Sequence, residues 1–450
     1  MDTPVPPHPV PMQRRSRKER PRLPPAPLLF ARPLHLAGGA VAGAAVLDEV
    51  EADRAVWAFV ALRAAHAWAA GAESGQVLLP AGEEDPGEAE LLERACAEAE
   101  AVPADEPPLL AALAALVSGL RRPRETTPEE MALACLCVTE WALGRGIVET
   151  SLAFARAAAL ARPESAGLAW TAGKMLRNRG RLREAEWWLR RAIRVAVWTR
   201  DWSVLALALN SHGNLAYALG DFAAAGSDYR KALRIARRHG LRECQAGILH
   251  DLFVFNFAAG DARRAERYAE LALRSYGPAH RHLPELACDI AYFTLHQAHF
   301  GRALPVLRLL LQHFRSQPRR FQLVAAAARA AAACGDRELF EQLWSEAFPV
   351  APDLEARIEL APALVDLGLG AASVESWDRA GDALGRAVQL ADAWVATDVS
   401  ARARTALEQV RTRRSPDLAA RAPAGRHGDA PVGVLAEVLS ALRLGPLPEG

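Results

Sequence analysis

The chain is poor in the residues from which small metal-binding and catalytic sites are built. Its six cysteines (Cys96, Cys135, Cys137, Cys244, Cys288 and Cys334) are scattered over 450 residues, and no Cys-x-x-Cys pair occurs. That excludes a zinc ribbon and a disulfide framework and fits buried free thiols in a reducing compartment, so a cytoplasmic protein is expected. No GxSxG, GxGxxG or HExxH motif is present. The nearest imitation of a phosphate loop, Gly167–Lys174, has its glycines one residue too far apart, and Met175 stands where Ser or Thr is required. No catalytic residue, cofactor or metal ligand is assigned.

Long apolar runs are also missing. The best candidate, Ala55–Ala72, is interrupted by Arg63 and His66 and falls short of the roughly 20 residues of a membrane span. The shorter run Leu34–Leu47 follows a basic stretch, but prolines separate the two, which argues against a signal peptide. Lysine occurs only at Lys18, Lys174 and Lys231; 54 Lys and Arg against 53 Asp and Glu leave a net charge of +1. No global field therefore gathers nucleic acid or anionic lipid, and the arginine excess is read as the codon bias of a GC-rich genome.

What the chain does have is a repeat. Gly180, Gly220 and Gly260 stand 40 residues apart, followed at constant distances by Ala185, Ala225 and Ala265 and then by Ala192, Ala232 and Ala272. A unit of this size buries its apolar face only by stacking on the next, which is the signature of a solenoid. Before each glycine runs an amphipathic helix A, such as Ala206–Leu219, and after it a helix B, such as Phe222–Arg238. Gly220 suits a left-handed helix cap and Asp221 can take the first free amides of B; Gly260 and Asp261 repeat the pair, whereas Arg181 has no capping oxygen. The alanines are expected where B meets A, and Asp228 on the outer face of B.

These features resemble tetratricopeptide (TPR) repeats. The resemblance rests on a small residue inside A (Gly173, Gly213), the turn glycine, the two B alanines, and a large residue between them (Leu189, Tyr229). The early tryptophan of helix A is missing, Leu176, Ala216 and Asn256 occupy a usually aromatic position, and Phe253 replaces the small residue of the third unit. The resemblance implies an all-α, right-handed superhelical solenoid of antiparallel helix hairpins.

Residues 1–33 form a Pro/Arg-rich arm, read as disordered. Residues 46–125 read as a helical cap region, with helices over 46–72, near Glu88–Glu100 in an acidic stretch, and over Leu109–Leu120. The solenoid of about seven hairpins spans 126–412. Its outlying units are marked by Gly146, Ser151, Ala158 and Pro163; by Ala298, Phe300, Ala303 and Leu310; by Gly335, Phe340 and Ala347; and by Ala380, Leu384 and Ala387 after a long turn over Gly368–Ser376. A helix near Val399–Arg411 closes the array, and 413–450 hold a linker and a short C-terminal helix.

The resemblance places a ligand on the A residues that face away from B. These are Trp170, Lys174, Arg177 and Asn178, then Asn210, Asn214 and Tyr217, then His250, Phe257, Tyr292, His296 and Arg329. Asn210 and Asn214, one turn apart, can hold a peptide main chain by donor and acceptor together, and Lys174 and Arg177 can take a carboxylate. The expected partner is a protein or peptide; nucleic acid is not expected, the basic arm at 13–22 being the one route to it, and no membrane contact is expected. A peptide-sensing regulator is the alternative. A metal-dependent HD-type hydrolase would use His212, His250, Asp251 and Asp289, but their spacing is simply the repeat period. His280, His282, His296 and His299 are read as surface histidines.

Overall fold

A computed structural model describes residues 107–121, 126–145, 148–277, 280–315, 319–348, 360–393 and 397–414, together with 36–37, 40–41 and 438. The expectations for the arm, for helices at 46–72 and 88–100, for Gly146 and for the C-terminal linker lie outside the described residues. Apart from a two-residue antiparallel ladder, Leu36–Ala37 with Ala40–Val41, every described element is a helix. The chain divides into two compact units, residues 1–221 and 222–450.

Unit 1 holds α1 (Pro107–Arg121), α2 (Pro128–Gly144), α3 (Val148–Ala161), α4 (Ala166–Asn178), α5 (Leu182–Thr199) and α6 (Trp202–Ala218). Unit 2 holds α7 (Phe222–Arg238), α8 (Arg242–Ala258), α9 (Ala262–Tyr276), α10 (Leu283–His296), α11 (Phe300–His313), α12 (Arg319–Cys334), α13 (Arg337–Ala347), α14 (Ala361–Ser373), α15 (Trp377–Ala393) and α16 (Thr397–Arg411). Within each unit, helices adjacent in sequence pack on one another, except that α14 follows α13 by packing on α12, and successive A helices also touch: α4 on α6, α8 on α10, α10 on α12 and α12 on α14.

One local device ends six of the A helices, α4, α6, α8, α10, α12 and α14. Gly180, Gly220, Gly260 and Gly335 adopt φ of 72°, 79°, 76° and 83°, the left-handed region that glycine enters without a Cβ penalty. Ala298 and Glu375 hold the same place in their hairpins at φ 59° and 63°. The next amide then reaches back into the helix: Arg181 to Leu176 O at 3.1 Å, Asp221 to Ala216 O at 2.9 Å, and Asp261 to Asn256 O at 2.9 Å. His299, Asp336 and Ser376 do the same with Thr294, Ala331 and Ala371. This is a Schellman closure, which satisfies carbonyls the helix leaves over. At the other end, Asp261 and Asp336 accept the amides of Arg264 and Leu339, whereas Arg181 makes no side-chain cap. Thr127 and Glu130 complete a capping box on α2, and those bonds from Thr127 hold the Glu130 carboxyl below its usual range.

The register also corrects one boundary. Gly368 is not in a turn: α14 runs through it, and the turn residue is Glu375. Gly368 precedes its turn by seven positions, as Gly173 precedes Gly180. A Cβ on Gly173 would stand 2.8 Å from Leu189 Cγ, and one on Gly368 2.7 Å from Leu384 Cγ. Glycine is there for close helix approach, so its local look as a loop former misleads. In the third unit the sizes are exchanged. Phe253 is buried at the small position, and Ala269, also buried, stands at the large one.

Three further expectations change. Asp228 is 7% exposed rather than on the outer face, with its carboxylate 2.9 Å from Lys231 Nζ. Cys135 and Cys288 are buried, and desolvation pushes the Cys288 thiol up to about 12, but Cys334 is exposed. His280 is not a surface residue, because its side chain is only 15% exposed. Among the described residues, no helix is long and apolar enough to cross a membrane.

Candidate ligand-binding faces of the A helices

In unit 1 the candidate residues come from two adjacent A helices. Trp170 and Asn210 stand at one register position, Lys174 and Asn214 at the next, and Arg177 and Tyr217 at the third. Lys174 is exposed and the other five are half-buried, so all six reach the surface while the opposite faces of α4 and α6 form the core. Trp170 joins the two helices: its indole N–H donates to Ser211 Oγ at 2.9 Å. The Lys174 ammonium lies 5.3 Å from the centre of that indole ring, within range of a cation–π attraction. Arg177 and Asn178 are coupled directly, with guanidinium nitrogens 2.8 and 3.3 Å from Asn178 Oδ1.

Unit 2 repeats the geometry with different chemistry. His250 occupies the register position of Trp170, and its Nε2 lies 2.8 Å from Asp289 Oδ2 on the next A helix, where Ser211 stands in unit 1. Its Nδ1 faces the Tyr276 hydroxyl at 3.4 Å. The Tyr276 ring lies 4.3 Å from the His280 ring, and His280 Nε2 sits 3.0 and 3.1 Å from the two Glu243 carboxylate oxygens. That hydrogen bond holds the Glu243 carboxyl below its usual range. Burial, reinforced by Asp251 and the carboxylates around it, pushes the Tyr276 hydroxyl well up, so it stays neutral as a donor or acceptor. Burial also holds His282 below the usual imidazole range.

Phe257 packs edge-on against Phe293 at 5.2 Å and tilts toward His296 at 5.8 Å; Phe257 is half-buried and His296 exposed. Tyr292 is half-buried as a residue, and desolvation of its hydroxyl, beside the Asp366 charge, raises it well above the usual phenol range. Arg329 holds the register position of Lys174, Asn214 and Tyr292 but departs from them. It is 8% exposed, with its guanidinium 2.8 Å from Asp366 Oδ1, itself 3% exposed. The cause is the close seating of α12 on α14, where a Cβ on Gly370 would stand 2.9 Å from Arg329 Cα.

Ser211 and Asp366 escape an inspection of single helix faces, which gives Asp289 no role beyond a candidate metal ligand. The signal of all three, Ser211, Asp289 and Asp366, is separation: they follow Trp170, His250 and Arg329 by 41, 39 and 37 residues, about one repeat. Polar side chains one period apart meet across neighbouring A helices. Among the described residues, no group of three or more His, Cys, Asp and Glu side chains could hold a metal ion.

No family model and no curated protein matches the chain. Among solved structures, it is similar to Pseudomonas aeruginosa PilF at 18% identity and a TM-score of 0.39, over 50% of this chain and 95% of that one. A Rap protein complexed with Competence and Sporulation Factor matches at 10% identity and a TM-score of 0.33, over 81% and 99%. The Rap conjugation gene regulator of plasmid pLS20, in complex with the Phr* peptide, matches at 14% and 0.37, over 79% and 96%. At such scores these likenesses carry no argument, and the tetratricopeptide-like reading rests on the hairpins themselves.

Proposed function

We propose that the chain is a protein-interaction module, without catalysis of its own, whose A-helix face in unit 1 binds an extended peptide bearing a carboxylate. The module spans 126–412, flanked by the arm at 1–33, the segment 46–125 and the tail 413–450, and works in the cytoplasm. The observation that carries the reading is Lys174. It is an exposed ammonium poised over an indole ring that Ser211 holds in place, and among the described residues no carboxylate lies within ion-pair distance of it. A cation beside a fixed, half-buried aromatic is the kind of anchor on which binding energy concentrates. The amides of Asn210 and Asn214 supply main-chain contacts on the adjacent helix, and Arg177 a second cation. In unit 2, His250, Phe257, Tyr292 and His296 present an aromatic, imidazole-rich face suited to apolar side chains; Arg329 is left out because it is buried.

The test begins with peptides selected from a random display library against the full chain. Asn214→Ala and Arg177→Ala should each weaken the selected peptide by roughly 5- to 150-fold, corresponding to about 1–3 kcal/mol, with unchanged helicity. Wild-type affinity in both folded variants would place the site elsewhere.

A further inference from the structure

The outer faces of two B helices in unit 2 carry a feature that the peptide site does not use. Helices α7 and α9 hold nine basic residues against three acidic ones, Asp228, Glu266 and Glu270. Asp228 is buried on Lys231, and Glu270 lies 3.9 Å from Arg274. Arg230, Arg234 and Arg238 on α7, and Arg263, Arg267 and Arg274 on α9, are all exposed. Arg234 and Arg274 occupy the same register position. Among the described residues, Arg230, Arg234, Arg238, Arg263 and Arg267 have no carboxylate within ion-pair distance.

The neighbouring A helices have the opposite balance. Helix α8 carries Glu243 and Asp251 against Arg242, and α10 carries Glu285 and Asp289 with no Lys or Arg. A coding bias would raise arginine everywhere; here it is sorted by face.

We infer that the outer face of α7 and α9 is a second interaction surface, and that its partner is the phosphate backbone of a nucleic acid. On α7 the arginines recur once per turn, placing a guanidinium about every 6 Å along roughly 12 Å of helix. The guanidinium fork matches phosphate oxygens in pairs, which an ammonium does not. Protein interfaces concentrate their binding energy on well-packed, desolvated anchors, mostly Trp, Tyr and Arg, and stable membrane anchoring adds an apolar group to a basic patch. Of the exposed large apolar residues, only Phe222 lies on these two helices, at the first position of α7 with its ring 6.3 Å from that of Phe255. The face offers charge alone, and charge alone suffices for sequence-independent phosphate binding. With a net charge of only +1 on the whole chain, the attraction is local and salt-sensitive.

The experiment is fluorescence anisotropy of the full chain with a labelled 20-base-pair duplex of arbitrary sequence, titrated between 50 and 200 mM salt. Wild type should bind at low salt and weaken steeply as salt rises. The fourfold variant Arg234→Gln, Arg238→Gln, Arg267→Gln, Arg274→Gln should bind at least tenfold more weakly at 50 mM, with a salt slope lower by roughly three to four. Its helicity and its affinity for the selected peptide should be unchanged, which separates this surface from the A-face site. A parallel variant neutralises Arg14, Arg15, Arg17, Lys18, Arg20 and Arg22. If that variant abolishes duplex binding while the fourfold variant binds as wild type does, the arm is the site and the inference falls. It falls equally if wild type does not bind the duplex, or binds vesicles containing phosphatidylserine in preference to it.

Discussion

Replacing Gly173 with alanine tests the register of the hairpin at a single atom. The new methyl would stand 2.8 and 2.9 Å from Leu189 Cγ and Cδ2 and 3.1 Å from Leu189 N, where apolar carbons prefer about 3.5–4.0 Å. Leu189 has no free space to yield: it is fully buried, with Ala185, Trp188 and Ala192 buried around it. Overpacking of this kind costs about 1–3 kcal/mol. Replacing glycine by alanine inside a helix returns about 0.5–1 kcal/mol. The net expectation is destabilisation by about 0.5–2 kcal/mol, read as a lower urea midpoint at unchanged slope. Gly385 on α15 is the control, since nothing lies within 4 Å of its Cβ position, and Gly385→Ala should raise the midpoint. Adding Leu189→Ala to Gly173→Ala removes the two side-chain clashes and leaves the backbone one. The double variant should therefore lose less than the sum of the singles, by about 1 kcal/mol. A midpoint that rises for Gly173→Ala as it does for Gly385→Ala would refute the close approach.

Other outcomes follow from the same packing. Arg329→Met should destabilise by about 3–5 kcal/mol, because it strands the buried Asp366 carboxylate, and Arg329→Met with Asp366→Leu should recover most of that loss in the same urea assay. Ala225, fully buried, should not accept leucine without a loss of about 1–3 kcal/mol. Asp228→Ala should cost about 1 kcal/mol, since its carboxylate is buried on Lys231. Burial depresses the imidazole pKa of His282 and His299, so the unfolded chain binds more protons as pH falls through about 6.5. Stability should therefore drop between pH 7.5 and 5.5, and His282→Asn with His299→Asn should flatten that part of the profile.

The hairpins were legible because each rests on a local device with a residue-level signature. Glycine at φ near 75° announces the turn, and alanine spaced by seven announces the helix contact. Where chemistry departs from the signature, legibility fails for a physical reason. Gly368 looks like a loop residue but serves as a contact, and Glu375 takes the left-handed turn without being glycine. The Phe253 and Ala269 exchange conserves the combined size of two positions, which no single position reveals. At the candidate faces, the sequence placed Trp170, Lys174 and Asn214 on one side of their helices. It did not supply Ser211 or Asp366, and it offered Asp289 only as a metal ligand, because such pairings depend on how far the next helix is shifted. Arg329 was misjudged for the same reason: its face is open or closed according to how closely α14 seats.

A charge exchange at Lys174 tests the central claim most directly. A selected peptide with its acidic residue intact and a copy with that residue changed to lysine are titrated by calorimetry into wild type and into Lys174→Glu. If the carboxylate sits over Trp170 beside Lys174, the variant should bind the acidic peptide at least tenfold more weakly than wild type, and the lysine peptide should bind the variant better than it binds wild type. Equal affinities of both proteins for both peptides would contradict the assignment.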